Sequence, residues 1–172
     1  MSSEELPALS QAFIANYNRY AEGLDSKNWG QVRSCFADEV YIDYGVIVDP
    51  DGDPGIAKKS DDWVRQLQHN IGGFDKTRHT ISNHRVLLGG ESPSCRAYLV
   101  ADHVMFPDPT LPIAGAVDIA TVIGEYTNHY RLIGKQWKIY KSKLDIHWST
   151  GNIELFAKAV GKVHSDPEMT LI

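Results

Sequence analysis

Apolar residues near the start of the chain recur at steps of three and four: Leu6, Leu9, Phe13, Tyr17, Tyr20 and Leu24 fall on one face of an amphipathic helix. Gly23 and Asp25 end that helix, and Ser26 is placed to cap a second, short one carrying Trp29, Val32 and Phe36. The run Val40-Tyr41-Ile42-Asp43-Tyr44 is rich in β-branched and aromatic residues and stops at Gly45, which predicts a first strand. Residues 49–55, Asp-Pro-Asp-Gly-Asp-Pro-Gly, form the densest turn signal and predict a solvated loop. Ser60-Asp61-Asp62 then opens a further helix, continued by Trp63, Val64, Leu67 and Ile71 as far as Gly72-Gly73.

From Arg78 onward the apolar period drops from about four to two. Residues 79–88, 96–106, 119–133 and 136–148 read as long strands, separated by turn clusters such as 89–93 and Gly134-Lys135. A last helix is predicted over 152–163, with Ile153, Phe156, Val160 and Val163 in register. The order α, α, β, α, β, β, β, β, α describes one α+β domain over residues 1–172, with helices on one side of a mostly antiparallel sheet.

Composition narrows the class. The 172 residues, 42% apolar and 23% charged, suit one ordinary globular domain. Lys and Arg number 17 against 22 Asp and Glu, and the net charge of −5 argues against nucleic acid or an anionic membrane as partner. Seven His among 8 Tyr, 4 Trp and 5 Phe suggest an apolar pocket that moves protons. Cys35 and Cys95 form no metal-binding pair and sit in apolar stretches, as expected of thiols in a reducing compartment. The first ten residues lack the pattern of a secretory signal, and no stretch approaches 18 apolar residues. The expectation is a soluble, cytoplasmic protein.

Three strings carry a resemblance: Tyr20-Ala-Glu-Gly-Leu-Asp25-Ser-Lys-Asn-Trp29 with Phe36-Ala-Asp-Glu-Val; Arg78-His79-Thr-Ile-Ser-Asn83; and Tyr126-Thr-Asn128-His-Tyr130 leading to Gly134-Lys-Gln-Trp137-Lys. Their order and spacing over roughly residues 8–150 resemble the SnoaL-like branch of the nuclear transport factor 2-like superfamily. The resemblance implies a cone-shaped α+β barrel, a strongly curved sheet wrapped around helices with an internal apolar cavity. Within the superfamily the likeness is greatest to scytalone dehydratase, bile-acid 7α-dehydratase and hexachlorocyclohexane dehydrochlorinase. Those enzymes use an Asp-His dyad with no metal or organic cofactor, and Asp25 and His79 stand at the matching places. Relatives also imply a homo-oligomer, a trimer or dimer formed through the outer sheet face.

Elimination of water or halide β to an acidic C–H needs a base of near-neutral pKa and help for the leaving group, which an imidazole oriented by a carboxylate can give. The alternative is that Asp25 caps the second helix and His79 is a satisfied core histidine. Tyr20, five residues before Asp25, could hold a substrate carbonyl and stabilise an enolate, or simply pack. Tyr44 resembles a substrate-contacting tyrosine of scytalone dehydratase. Strand parity turns His79, Ile81 and Asn83 one way and His84 the other. It also allows only one of Asp102 and His103 to face inward, and it leaves the register of Asn128 open to a slip of one. Asp145, His147 and Trp148 are expected near the cavity mouth, where Asp145 and His147 could join His79 around a metal, although no spacing marks such a site. The reading is a cofactor-independent dehydratase acting on a hydroxylated cyclic ketone or phenol of polyketide, steroid or terpenoid type. The alternatives are an isomerase or cyclase on a similar substrate, and a non-catalytic binding module.

Overall fold

A computed structural model of the chain describes residues 5–89 and 91–165. Six strands form one open sheet in the order β2-β1-β6-β5-β4-β3. They are β1 (Phe36–Asp43), β2 (Lys58–Lys59), β3 (Lys76–Leu87), β4 (Ser94–Val104), β5 (Ile119–Ile133) and β6 (Gln136–Gly151). Every neighbouring pair is antiparallel except β1 with β6, which is parallel. The helices are α1 (Glu5–Asp25), α2 (Trp29–Ser34), α3 (Gly45–Val48), α4 (Ser60–Ile71) and α5 (Leu155–Ser165). The result is the expected α+β class with a sheet that does not close on itself. No helix among the described residues is long and apolar enough to cross a membrane.

The stripe on α1 packs as the periodicity predicts. Leu9, Phe13, Tyr17, Tyr20 and Leu24 are all buried, with Phe13 stacked on Tyr130 of β5 at a centroid distance of 4.0 Å. Leu6, at the fraying end, is exposed. Strand β4 shows the cleanest alternation: Cys95, Ala97, Leu99, Ala101 and His103 are buried while Arg96, Tyr98 and Val100 are exposed. Those buried residues form the inner face beneath α1, and cross-strand partners share it.

Local details differ from the sequence reading. Asn28 caps α2, its side chain accepting from the Gln31 amide, while the Ser26 hydroxyl donates back to the Glu22 carbonyl. Asp25 is therefore not a cap of α2. Tyr44 and Gly45 end β1 by turning into the one-turn helix α3, Gly45 adopting φ +70°, the left-handed region that favours glycine. The turn-rich loop is solvated except at Asp49, which is buried and paired with Lys58 at 2.7 Å and with Gln66.

Candidate active site

Asp25 is the last residue of α1, where the helix dipole leaves its negative end. A carboxylate there is held only by strong donors, and β3 supplies them. Thr77 Oγ1 donates to Asp25 Oδ1 at 2.9 Å, the His79 amide reaches Oδ2 at 3.0 Å, and His79 Nδ1 lies 2.7 Å from Oδ1. Burial alone would raise the carboxyl pKa. The side-chain and backbone hydrogen bonds of His79, the charge on its ring when protonated, and the Thr77 hydroxyl outweigh burial and hold Asp25 below the usual carboxylate range. The contact is partly buried: the side chains of His79 and Asp25 are 5% and 17% exposed.

An ionised carboxylate can only accept, so Nδ1 carries the hydrogen, and in the neutral ring Nε2 keeps its lone pair. That is the form of a general base. Thr77, missed by the sequence reading, completes the carboxylate's shell, and its place two residues before His79 on the same face was the available signal.

Inner-face parity decides between Asp102 and His103. His103 points inward and is buried, its ring 5.6 Å from that of His79 and packed on Phe74 and Phe156. Its Nδ1 faces the Ala120 carbonyl at 3.3 Å, so that nitrogen is the donor and Nε2 the acceptor. Burial, aided by the neighbouring His79, lowers its pKa to about 4 and keeps it neutral near pH 7. Asp102 lies on the outer face, accepting from Thr121 Oγ1 at 2.6 Å, so its expected pocket role is corrected.

Tyr20 and Tyr44 are both buried and meet Tyr126, which the sequence reading did not single out. Ring centres are 6.1 Å apart for Tyr20 and Tyr126 and 5.9 Å for Tyr44 and Tyr126. Asn128 faces inward in the unslipped register, opposite Ser142 of β6. His147 and Trp148 do not join them: both are exposed, Trp148 by 58%. The cause is a bulge. Gly124 pairs with Ile146 but Ile123 with Trp148, so His147 is an extra residue and Trp148 turns to the outer face opposite Ile123. Asp145 also faces solvent, paired with Lys143 at 2.9 Å, so these residues form no set with His79.

A second bulge, between Ser82 and Arg85, restores His84 to the inner side, where its ring lies 5.3 Å from Tyr17. His103 and the three phenols are thus buried, with the partly buried dyad beside His103. Two surface grooves, of about 820 and 510 Å³, lie between α1 and α2 and beside β1, and neither is lined by these residues.

The SnoaL-like domain family matches residues 12–143. The chain belongs to that family. Solved structures similar to it include the Kfla4162 protein of Kribbella flavida, with TM-score 0.70 at 22% identity, covering 86% of this chain and 95% of that one. A protein of Novosphingobium aromaticivorans, provisionally named a scytalone dehydratase, has TM-score 0.68 at 18% identity over 87% and 91% of the two chains. Hexachlorocyclohexane dehydrochlorinase LinA-type3 of Novosphingobium barchaimii has TM-score 0.66 at 15% identity over 87% and 94%. Among curated proteins there is no significant match. Such likeness is one of fold, and the chemistry of this SnoaL-like protein has to be argued from its own residues.

Proposed function

We propose that this protein is a cofactor-independent lyase, a dehydratase in which His79 is the general base and acid and Asp25 orients it. The observation that carries the reading is the partly buried 2.7 Å contact from His79 Nδ1 to Asp25, which in the neutral ring leaves the Nε2 lone pair for a substrate proton. In the proposed step Nε2 takes a proton from the carbon α to a carbonyl, and the electron pair moves onto the carbonyl oxygen as an enolate. As the enolate collapses, the new C=C bond forms while the β C–O bond breaks, and the imidazolium returns its proton to the departing hydroxyl, which leaves as water. Asp25 stabilises the imidazolium meanwhile. His103, neutral with Nε2 as acceptor, can take a hydrogen bond from a substrate hydroxyl, while a phenol of the Tyr20–Tyr44–Tyr126 cluster holds the carbonyl oxygen. Asn128 acts on the substrate through the groups it orients. The substrate class is a hydroxylated cyclic ketone or phenol of polyketide, steroid or terpenoid type. The names of two structural neighbours, a dehydratase and a dehydrochlorinase, support elimination as the reaction type. Cys35 and Cys95, free and buried, fit a reducing compartment such as the cytoplasm.

The phenol cluster also suits an isomerase or cyclase, in which the same proton returns to carbon. Mass separates the two. Incubating a panel of β-hydroxy cyclic ketones with the protein should give products lighter by one water, and His79→Ala should lower that rate by about 10²–10⁴-fold with an unchanged circular dichroism spectrum. Turnover without mass loss would select the isomerase or cyclase reading. Retention of turnover in a folded His79→Ala protein would overturn the catalytic reading and favour a binding module.

A further inference from the structure

The torsion that turns an aspartate carboxyl group is broad and roughly two-fold, so nothing in Asp25 itself decides which oxygen meets the imidazole or where its lone pairs point. The donors around it decide. The His79 amide is shared, lying 3.0 Å from Oδ2 and 3.2 Å from Oδ1, and so holds the carboxylate without choosing between its oxygens. Thr77 chooses. Its hydroxyl donates at 2.9 Å to Oδ1, the same oxygen that lies 2.7 Å from His79 Nδ1. Each carboxylate oxygen offers two lone-pair directions, and with the hydroxyl on one of those at Oδ1 the imidazole is given the other.

Both grips come from fixed parts of β3. The amide belongs to the strand backbone, and Thr77 is β-branched, which stiffens its χ1. Thr77 lies two residues before His79 on the inner face, opposite His103 of β4, and is 5% exposed. Valine has nearly the same shape and equal liking for a strand, so what threonine adds in this buried place is the hydroxyl. A buried hydroxyl costs stability unless it is hydrogen-bonded, and Asp25 is its acceptor. The chain leaving α1 is fixed as well: Lys27 takes φ +56°, and the Asn28 amide donates back to the Gly23 carbonyl at 2.8 Å, closing the helix end beside Asp25. The carboxylate is thereby placed by groups that stay put when the imidazole turns.

We propose that Thr77 is a positioning residue of the dyad, fixing Asp25 Oδ1 as the acceptor of the His79 Nδ1–H so that the ring is turned for proton abstraction before substrate arrives. In this role Thr77 touches no reacting atom and acts through Asp25. Its importance for turnover rests on the elimination reading, which makes His79 the base, whereas its hold on Asp25 belongs to the resting protein. The same hydroxyl helps His79 to keep the Asp25 carboxyl below its ordinary pKa.

Two pairs of full-length proteins isolate the hydroxyl: wild type against Thr77→Val, which keeps the shape, and Thr77→Ser against Thr77→Ala, which both lack the γ-methyl group. The second pair decides the matter if the valine variant does not fold. Without substrate, ¹⁵N NMR of the His79 ring should show the Nδ1–H preference in wild type and Thr77→Ser, and its weakening in Thr77→Val and Thr77→Ala. The Asp25 carboxyl, followed by ¹³C NMR, should titrate at higher pH in the two variants that lack the hydroxyl. With β-hydroxy cyclic ketones, those two should lose about tenfold or more in kcat at little-changed KM, the span of a hydrogen bond to a charged group, and Thr77→Ser should restore it. An unchanged ring tautomer in Thr77→Val, equal loss in Thr77→Ser and Thr77→Ala, or a kcat in Thr77→Val equal to wild type would each overturn the proposal. His79→Ala separates the two claims. Its loss of turnover beside a fully active Thr77→Val would leave the dyad standing and remove Thr77, and its retention of turnover would remove the elimination reading while the ¹⁵N comparison still decides who places Asp25.

Discussion

His103 and Asp25 make acid the most informative variable at the residue scale. The folded pKa of His103 is lowered to about 4 against about 6.5 in an unfolded chain. Below pH 6.5 the unfolded state takes up a proton that the folded state refuses, so stability falls between about pH 6.5 and 4 and then levels. The size is on the order of 3 kcal/mol. Asp25 is lowered as well, so its contribution is present above the unfolded value and is lost as pH falls through the folded one, a separate loss in stronger acid. Urea denaturation at pH 7 and pH 4.5 should therefore show a large drop for wild type and a smaller one for His103→Phe. An equal drop in the two would contradict the buried, neutral assignment. The groups facing His103 are His79, Phe74 and Phe156, with Asp102 behind it on the other face. Asp25 and His79 were legible in the sequence because short strings frame them. Tyr126 was not, since an aromatic residue on a strand looks alike in a core and in a site.

Elements were legible where one period ran unbroken, and obscure where the backbone changed parity. The stripe on α1 and the alternation on β4 are read correctly, and β4 alone assigns His103 inward and Asp102 outward. His84 and Trp148 were misplaced because each lies beyond a bulge, where one inserted residue exchanges the faces. The connection from α4 to β3 shows a tighter requirement. A β-carbon on Gly73 would overlap the Ala159 carbonyl of α5, so no larger residue fits without moving that helix. Helix α5 carries Phe156 onto Phe74 and His103. Gly73→Ala should thus lower stability by about 1–3 kcal/mol and speed amide exchange throughout α5, measured by hydrogen-exchange mass spectrometry. Unchanged α5 exchange would show that the helix absorbs the methyl group without displacement.

At the scale of the whole molecule, the outer sheet face is the feature the sequence could not display, because residues from four strands build it. Tyr98, Val100 and Trp148 are exposed there, and Glu125 is buried beneath ion pairs with Arg85 and Arg96. The homo-oligomer expected from the sequence would cover this face. Light scattering should then give a mass two or three times 19.2 kDa for wild type, and Trp148→Glu should return it to the monomer. A wild-type mass of one chain would contradict that expectation and leave the interior chemistry untouched.

That chemistry depends on which nitrogen of His79 bears the proton. ¹⁵N-edited NMR of the imidazole at neutral pH reports it without any substrate. The geometry predicts that the neutral form of the ring is the Nδ1–H tautomer with a free Nε2 lone pair, and loss of that preference in Asp25→Asn. A ring protonated at Nε2 in wild type, with Asp25→Asn making no difference, would contradict the dyad and with it the proposed elimination.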